Sequence, residues 1–200
     1  MSIFRMIYLL ESSTAVTAPI FNINNPASTG GRIDVVFRSL MASMPEELNK
    51  RKNIDFYVLL NGPPSPPLLL KFIGKKFYMH FISERKVGLL FKEILSGKKV
   101  EGVIVEKKSF SKIIDELRKD KYTIFLLDEK GTDILKLKNK IIQAFPRAVF
   151  ILGDHDGLSL DALRFIEKIG AVKVSIGPKV YLTSHCILFM NFILSKWRLL

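Results

Sequence analysis

Two glycine-bearing loops, Gly153-Asp154-His155-Asp156-Gly157 and Ile176-Gly177-Pro178-Lys179, each follow a short apolar segment with strand character, Ala148–Leu152 and Ala171–Ser175. Glycine lets backbone N–H and C=O groups come close to a small molecule. Loops at the carboxyl ends of strands are where an open α/β sheet holds its ligand. The pair points to a ligand site; the plainer alternative is two tight turns. A second group is Arg32, Asp34 and Arg38, on a segment of helical periodicity. The two arginines can grip phosphate, and a carboxylate between them can take or orient a proton on a reacting base. The plainer account is an i,i+4 ion pair between Asp34 and Arg38, worth about 0.3–0.5 kcal/mol.

The remaining reactive side chains carry less. Cys186 is the only cysteine and is followed by Ile187, Leu188 and Phe189. A thiol in such company is a small hydrophobe with a raised pKa rather than a nucleophile. His80, His155 and His185 are scattered, no pair of them has metal-ligand spacing, and a single cysteine builds no zinc site. No metal is therefore expected. His155 either stands beside a ligand or pins its loop. No G-x-G-x-x-G follows the first strand, and no G-x-x-x-x-G-K-[ST] occurs, which argues against dinucleotide binding and NTP hydrolysis.

The elements that must position these residues alternate. Strands are expected at Phe4–Leu10, Ile54–Leu60, Val100–Glu106, Tyr122–Leu127, Ala148–Leu152 and Ala171–Ser175. Ile33, Val36, Phe37, Leu40, Met41 and Met44 repeat at three- and four-residue spacing, which predicts an amphipathic helix from Arg32, started by Ser28 or Thr29. Gly30-Gly31 would leave its amino end bare, a natural anion site that Arg32 would reinforce. Further helices are expected over Glu84–Leu95, capped by Ser83, from Ser109 to about Arg118, over Thr132–Phe145, Ser159–Ile169 and Thr183–Trp197. Leu68–Phe72 and Lys75–Phe81 flank Gly74 and read as a hairpin, an arm carrying Lys71, Lys75 and Lys76 toward a polyanion. The alternation predicts an α/β fold, a mainly parallel sheet with helices on both faces.

The chain has 200 residues, 48% hydrophobic and 25% charged, enough for one domain with its own core and at most a small second lobe. Its net charge is +12, and residues 71–121 alone hold 14 Lys/Arg against 7 Asp/Glu. A clustered basic surface favours nucleic acid as partner over mere lysine bias. The start lacks a signal-peptide pattern, and Cys186–Leu194 is far short of the ~20 residues of a membrane helix. A soluble, cytoplasmic protein without a membrane partner is expected.

Four stretches carry a resemblance, in order along the chain: Ser28–Val36; Leu59–Pro67; Leu126–Gly131; and the long run from Phe150 through the last helix, FILGDHDGLSLDALRFIEKIGAVKVSIGPKVYLTSHCILFMNFIL. Together they resemble the archaeal tRNA (pseudouridine(54)-N(1))-methyltransferase family of the SPOUT superfamily. The resemblance implies a SPOUT-type sheet with a C-terminal trefoil knot, which no periodicity would predict. It implies S-adenosylmethionine as cofactor, tRNA as partner, a homodimer, and transfer of a methyl group to N1 of pseudouridine in the T-loop. It places the cofactor against Leu127, Leu152, Gly153, Ile176, Gly177, Tyr181, Leu182 and Cys186. It gives Asp34 and Arg32 to the chemistry, and Arg32 and Arg38 to RNA phosphates; the basic arm with Lys71, Lys75 and Lys76 is expected to extend that contact. One departure is Ser65, where the family often has an acidic residue, so the Asn61–Pro67 loop is expected to shape a pocket rather than supply a carboxylate. Two alternatives stay open: a ribosomal RNA pseudouridine N1-methyltransferase, and a non-catalytic RNA-binding protein of the same fold.

Overall fold

Seven successive buried residues form β1 (Met6–Ser12), the strand from which a seven-stranded sheet grows to both sides. A computed structural model describes residues 5–44, 53–79 and 83–200. After β1 come α1 (Pro26–Thr29), α2 (Ile33–Ser43), β2 (Ile54–Leu60), β3 (Leu68–Ile73), α3 (Glu84–Leu95), β4 (Val103–Glu106) and α4 (Phe110–Lys119). The rest of the chain is β5 (Thr123–Asp133), α5 (Lys138–Ala144), β6 (Ala148–Gly153), α6 (Leu160–Lys168), β7 (Val172–Ser175) and α7 (Thr183–Lys196). The order across the sheet is β4-β3-β2-β1-β6-β5-β7. From β2 to β7 every pairing is parallel, and β3 and β4 complete one edge antiparallel.

Strand alternation sorts the core into two layers. Met6, Tyr8 and Leu10 point into one, filled by α2, α3 and α7; Ile7 and Leu9 point into the other, under α4 and α6. In the first layer, the Tyr8 hydroxyl donates to Asn191 Oδ1 at 2.8 Å, and Asn191 Nδ2 donates to the Ala42 carbonyl at 2.9 Å. One polar residue inside an apolar helix thus joins β1, α2 and α7. Among the described residues no helix is long and apolar enough to cross a membrane.

The α/β class and most expected elements are present, with Ser83, Ser109 and Ser159 acting as helix caps. Three expectations are corrected. The basic arm does not exist as a projecting hairpin: β3 lies inside the sheet between β2 and β4, and residues 75–79 are turn and coil. The end of that expected strand, with His80, lies outside the described residues. The helix expected from Thr132 starts only at Lys138. Thr132 and Asp133 are taken by β-pairing with Val174 and Ser175, and the Asp133 carboxylate accepts the Leu135 N–H in a local turn that competes with helix. Finally, neither Ser28 nor Thr29 caps α2: Thr29 closes α1 by donating to the Asn25 carbonyl, and Arg32 stands at the N-cap position.

Candidate active site

The loop from β6 to α6 is folded tightly on itself and held from below. A Cβ on Gly153 would lie 2.2 Å from the Gly157 carbonyl carbon, so no side chain fits there. The Asp154 carboxylate, buried, accepts from Ser12 Oγ at 2.9 Å, from the Ser13 N–H at 2.8 Å and from the Asp156 N–H at 3.0 Å. Thr183 Oγ1 donates to the Gly153 carbonyl at 2.8 Å, which brings the start of α7 over the loop. On the neighbouring strand, Ser175 Oγ donates to the Gly177 carbonyl and accepts the Gly177 N–H, fixing the second loop. The Tyr181 hydroxyl lies close over Gly177.

Between these loops, at the carboxyl ends of β5, β6 and β7, is an open cleft. Leu127, Leu152, Val174 and Ile176 give it apolar walls, together with Cys186 and Tyr181. Asp128, Glu129, Asp154 and Lys179 bring charge to it, and Gly153, Gly157 and Gly177 leave backbone bare. Seven of the eight residues expected around a cofactor line this cleft. Leu182 does not: it is the N-cap residue of α7, and its side chain points to solvent, 59% exposed. Burial pushes the Cys186 thiol up to about 11, so it is a neutral apolar wall at physiological pH. The sequence reading named the loop that holds Lys179 but missed Asp128, Glu129 and Thr183; each is a near neighbour of a glycine loop or strand end, which was the available signal.

The second expected group is assembled by a strained turn. Gly31 has φ +60°, and a Cβ there would lie 1.8 Å from the Thr14 carbonyl oxygen. Arg32 follows in the same left-handed region, φ 60°, which a non-glycine residue adopts only under constraint. The turn aims Arg32 back at Asp34, with Nε 3.1 Å from Oδ1 and Nη2 3.3 Å from Oδ2. Arg38 donates from Nη2 to the same Oδ2. Asp34 is 4% exposed, whereas the two arginine side chains are 39% and 40% exposed. Asp34 also occupies the first turn of α2, so the helix end expected to be bare for an external anion already holds a carboxylate. The Asp34 hydrogen bond holds the Arg32 guanidinium above its ordinary value, with Asp154 and Asp156 adding to the effect.

The other expected RNA contacts are not gathered here. Lys71 Nζ is 2.7 Å from Glu106 Oε2 and lies over the Tyr57 ring, so its charge is already partnered. Lys75 and Lys76 are exposed, but β3 runs antiparallel to β2 and ends opposite Asp55. They sit at the amino ends of the parallel strands, a strand length of about 20 Å from the cleft. Lys107 follows β4, at the opposite edge of the sheet from the cleft strands, and donates to the carbonyl and hydroxyl of Ser65. Asp154, His155 and Asp156 place donor atoms within 4.8 Å of one another, an arrangement the histidine spacing did not suggest. Asp154 is spent on Ser12, Ser13 and the Asp156 N–H.

A mainly parallel sheet with a glycine-lined cleft at the carboxyl ends of its strands defines an α/β protein built to hold a small ligand. The family model described as "Putative SAM-dependent RNA methyltransferase" matches residues 5–198, and the chain belongs to that family. Among its relatives is the tRNA (pseudouridine(54)-N(1))-methyltransferase of Pyrococcus abyssi, 33% identical over 95% of this chain and 97% of the relative. The enzyme of the same name from Thermococcus kodakarensis is 35% identical over 92% of this chain and 96% of its own. In three dimensions the chain is similar to Archaeoglobus fulgidus Nep1, solved with S-adenosylhomocysteine. That likeness has a TM-score of 0.71 over 98% of this chain and 99% of the other, at 13% identity, and speaks for the fold.

Proposed function

We propose that this protein methylates N1 of pseudouridine 54 in tRNA, with S-adenosylmethionine as donor. The observation that carries the proposal is the whole-length kinship to enzymes of that name, joined to an intact cleft and arginine cluster. The cleft suits the cofactor chemically: it offers apolar walls for an adenine and backbone groups bared by Gly153 and Gly177. Asp128 and Glu129 suit cationic or hydroxyl groups, and Lys179 a carboxylate. When bound there, S-adenosylmethionine supplies a methyl group on a positively charged sulfur.

The protein's own part is positioning and electrostatics. Arg32 and Arg38 keep donor groups free at the surface while Asp34 fixes their planes, so they can hold a phosphate or a base carbonyl. Both Asp34 oxygens are already accepting from guanidinium groups. This favours Asp34 as the residue that orients the arginines over Asp34 as acceptor of the N1 proton. Lys179 gives the cleft a positive rim and replaces Lys71, Lys75 and Lys76 as the favoured lysine contact there. The target base lies stacked in a folded T-loop and has to turn outward to be reached. A tRNA substrate implies work in the cytoplasm.

We propose further that the enzyme is a homodimer with a C-terminal trefoil knot. Ile187, Met190 and Leu194 of α7 are fully buried in the core, while Leu188, Phe189 and Phe192 on the same helix are exposed. Val180, Tyr181 and Leu182 continue this exposed apolar surface toward the cleft, a face suited to a second copy. Mass spectrometry of nucleosides from tRNA treated with enzyme and cofactor tests the activity: N1-methylpseudouridine at position 54 is expected. Methylation of a ribosomal RNA pseudouridine instead would replace the tRNA reading by the ribosomal one, and methylation of neither would leave a binding protein.

A further inference from the structure

β1 is apolar from Met6 to Leu10 and then places Glu11, only 1% exposed, in the middle of the sheet, paired with Leu59 on β2 and Gly153 on β6. A carboxylate there loses its hydration and persists only with donors around it. It has three. Oε1 accepts from Asn61 Nδ2 at 3.0 Å and from Ser159 Oγ at 2.9 Å, and Oε2 accepts the Ser159 N–H at 3.0 Å. Ser159 ends the loop that lines the cofactor cleft and caps α6; Asn61 opens the proline-rich loop after β2. The next residue, Ser12, faces the other side of the sheet and holds Asp154 of the same cleft loop. Two adjacent residues at the end of β1 therefore grip one loop from both faces. The Glu11 side chain reaches the proline loop at Asn61, whose backbone N–H donates to the Ser12 carbonyl at 2.9 Å.

We infer that Glu11 is a positioning residue for methyl transfer: its carboxylate sets the height of the cofactor loop and locks it to the loop at Asn61. This rests on the function proposed above. Glu11 does not line the cleft and acts on it through Ser159 and Asn61. A glutamine at 11 keeps one acceptor oxygen but turns an N–H toward either the Ser159 N–H or the Asn61 amide, so part of the tie is lost. Alanine loses all of it.

The test measures S-adenosylhomocysteine affinity by calorimetry without RNA, kcat and both KM values with pseudouridine RNA, and the melting temperature, for Glu11→Gln and Glu11→Ala. Glu11→Gln is expected to weaken S-adenosylhomocysteine binding about tenfold and to raise KM for the cofactor in step, with a much smaller change in kcat. Glu11→Ala is expected to weaken binding further, so that glutamine counts as a partial rescue. Lower stability with unchanged affinity per folded molecule would overturn the inference, since a purely structural role predicts that. A wild-type protein that binds S-adenosylhomocysteine but methylates no pseudouridine RNA sinks the function while the Glu11 effect on binding still reads out. A wild-type protein without affinity for S-adenosylhomocysteine overturns both.

Discussion

Asp34 is a buried carboxylate shared by two half-exposed arginines, and its value to the protein lies in what it does to them. Asp34→Asn leaves one oxygen for two guanidinium groups and releases their geometry. We expect kcat/KM for RNA to fall about tenfold to a hundredfold, with S-adenosylhomocysteine affinity nearly unchanged. Equal losses in both would place Asp34 in the cofactor site instead. Cys186 makes a different prediction. Its thiol is raised from 9.0 to about 11 by burial, so the fold favours the protonated form. Its stabilising contribution is complete below pH 9 and is lost as pH rises through 11. Alkylation by iodoacetamide should therefore be slow at pH 8, rise about tenfold per pH unit and level off only near pH 11; fast reaction at pH 8 would mark an activated thiol and contradict the wall assignment.

At the scale of elements, the site depends on how α2 and α7 are held against β1. Asn191 is the link, accepting from Tyr8 and donating to Ala42 in an otherwise apolar layer. Asn191→Leu leaves the Tyr8 hydroxyl and the Ala42 carbonyl without these partners, a loss of about 2–4 kcal/mol measurable by urea unfolding. Unchanged stability would mean the thread is dispensable. Element boundaries were legible where local chemistry decided them: Ser83, Ser109 and Ser159 each cap the helix they precede. They were illegible where distant pairing won. Thr132 and Asp133 have no local reason to be strand; β7 claims them. Leu68–Ile73 looks like half of a hairpin until β4, some thirty residues on, supplies its second neighbour.

For the whole molecule, the alternation of strands and helices disclosed the α/β class, and the glycine loops disclosed the cleft. Sequence order could not say which lysines share the cleft end. That depends on strand direction: the antiparallel β3 carries Lys75 and Lys76 to the amino ends of the parallel strands, whereas Lys179 follows β7 into the cleft. Spacing offered the Asp34–Arg38 pair, which is present, but not the second clamp, because Arg32 reaches Asp34 only through a left-handed turn. The central claim concerns one nitrogen. Pseudouridine is joined to ribose through carbon and keeps a proton on N1, whereas uridine spends N1 on the glycosidic bond. The direct measurement is transfer of labelled methyl from S-adenosylmethionine to two T-arm stem-loops that differ only in pseudouridine or uridine at position 54. Label on the pseudouridine RNA alone is the predicted result; equal label on both, or label on neither, would contradict it.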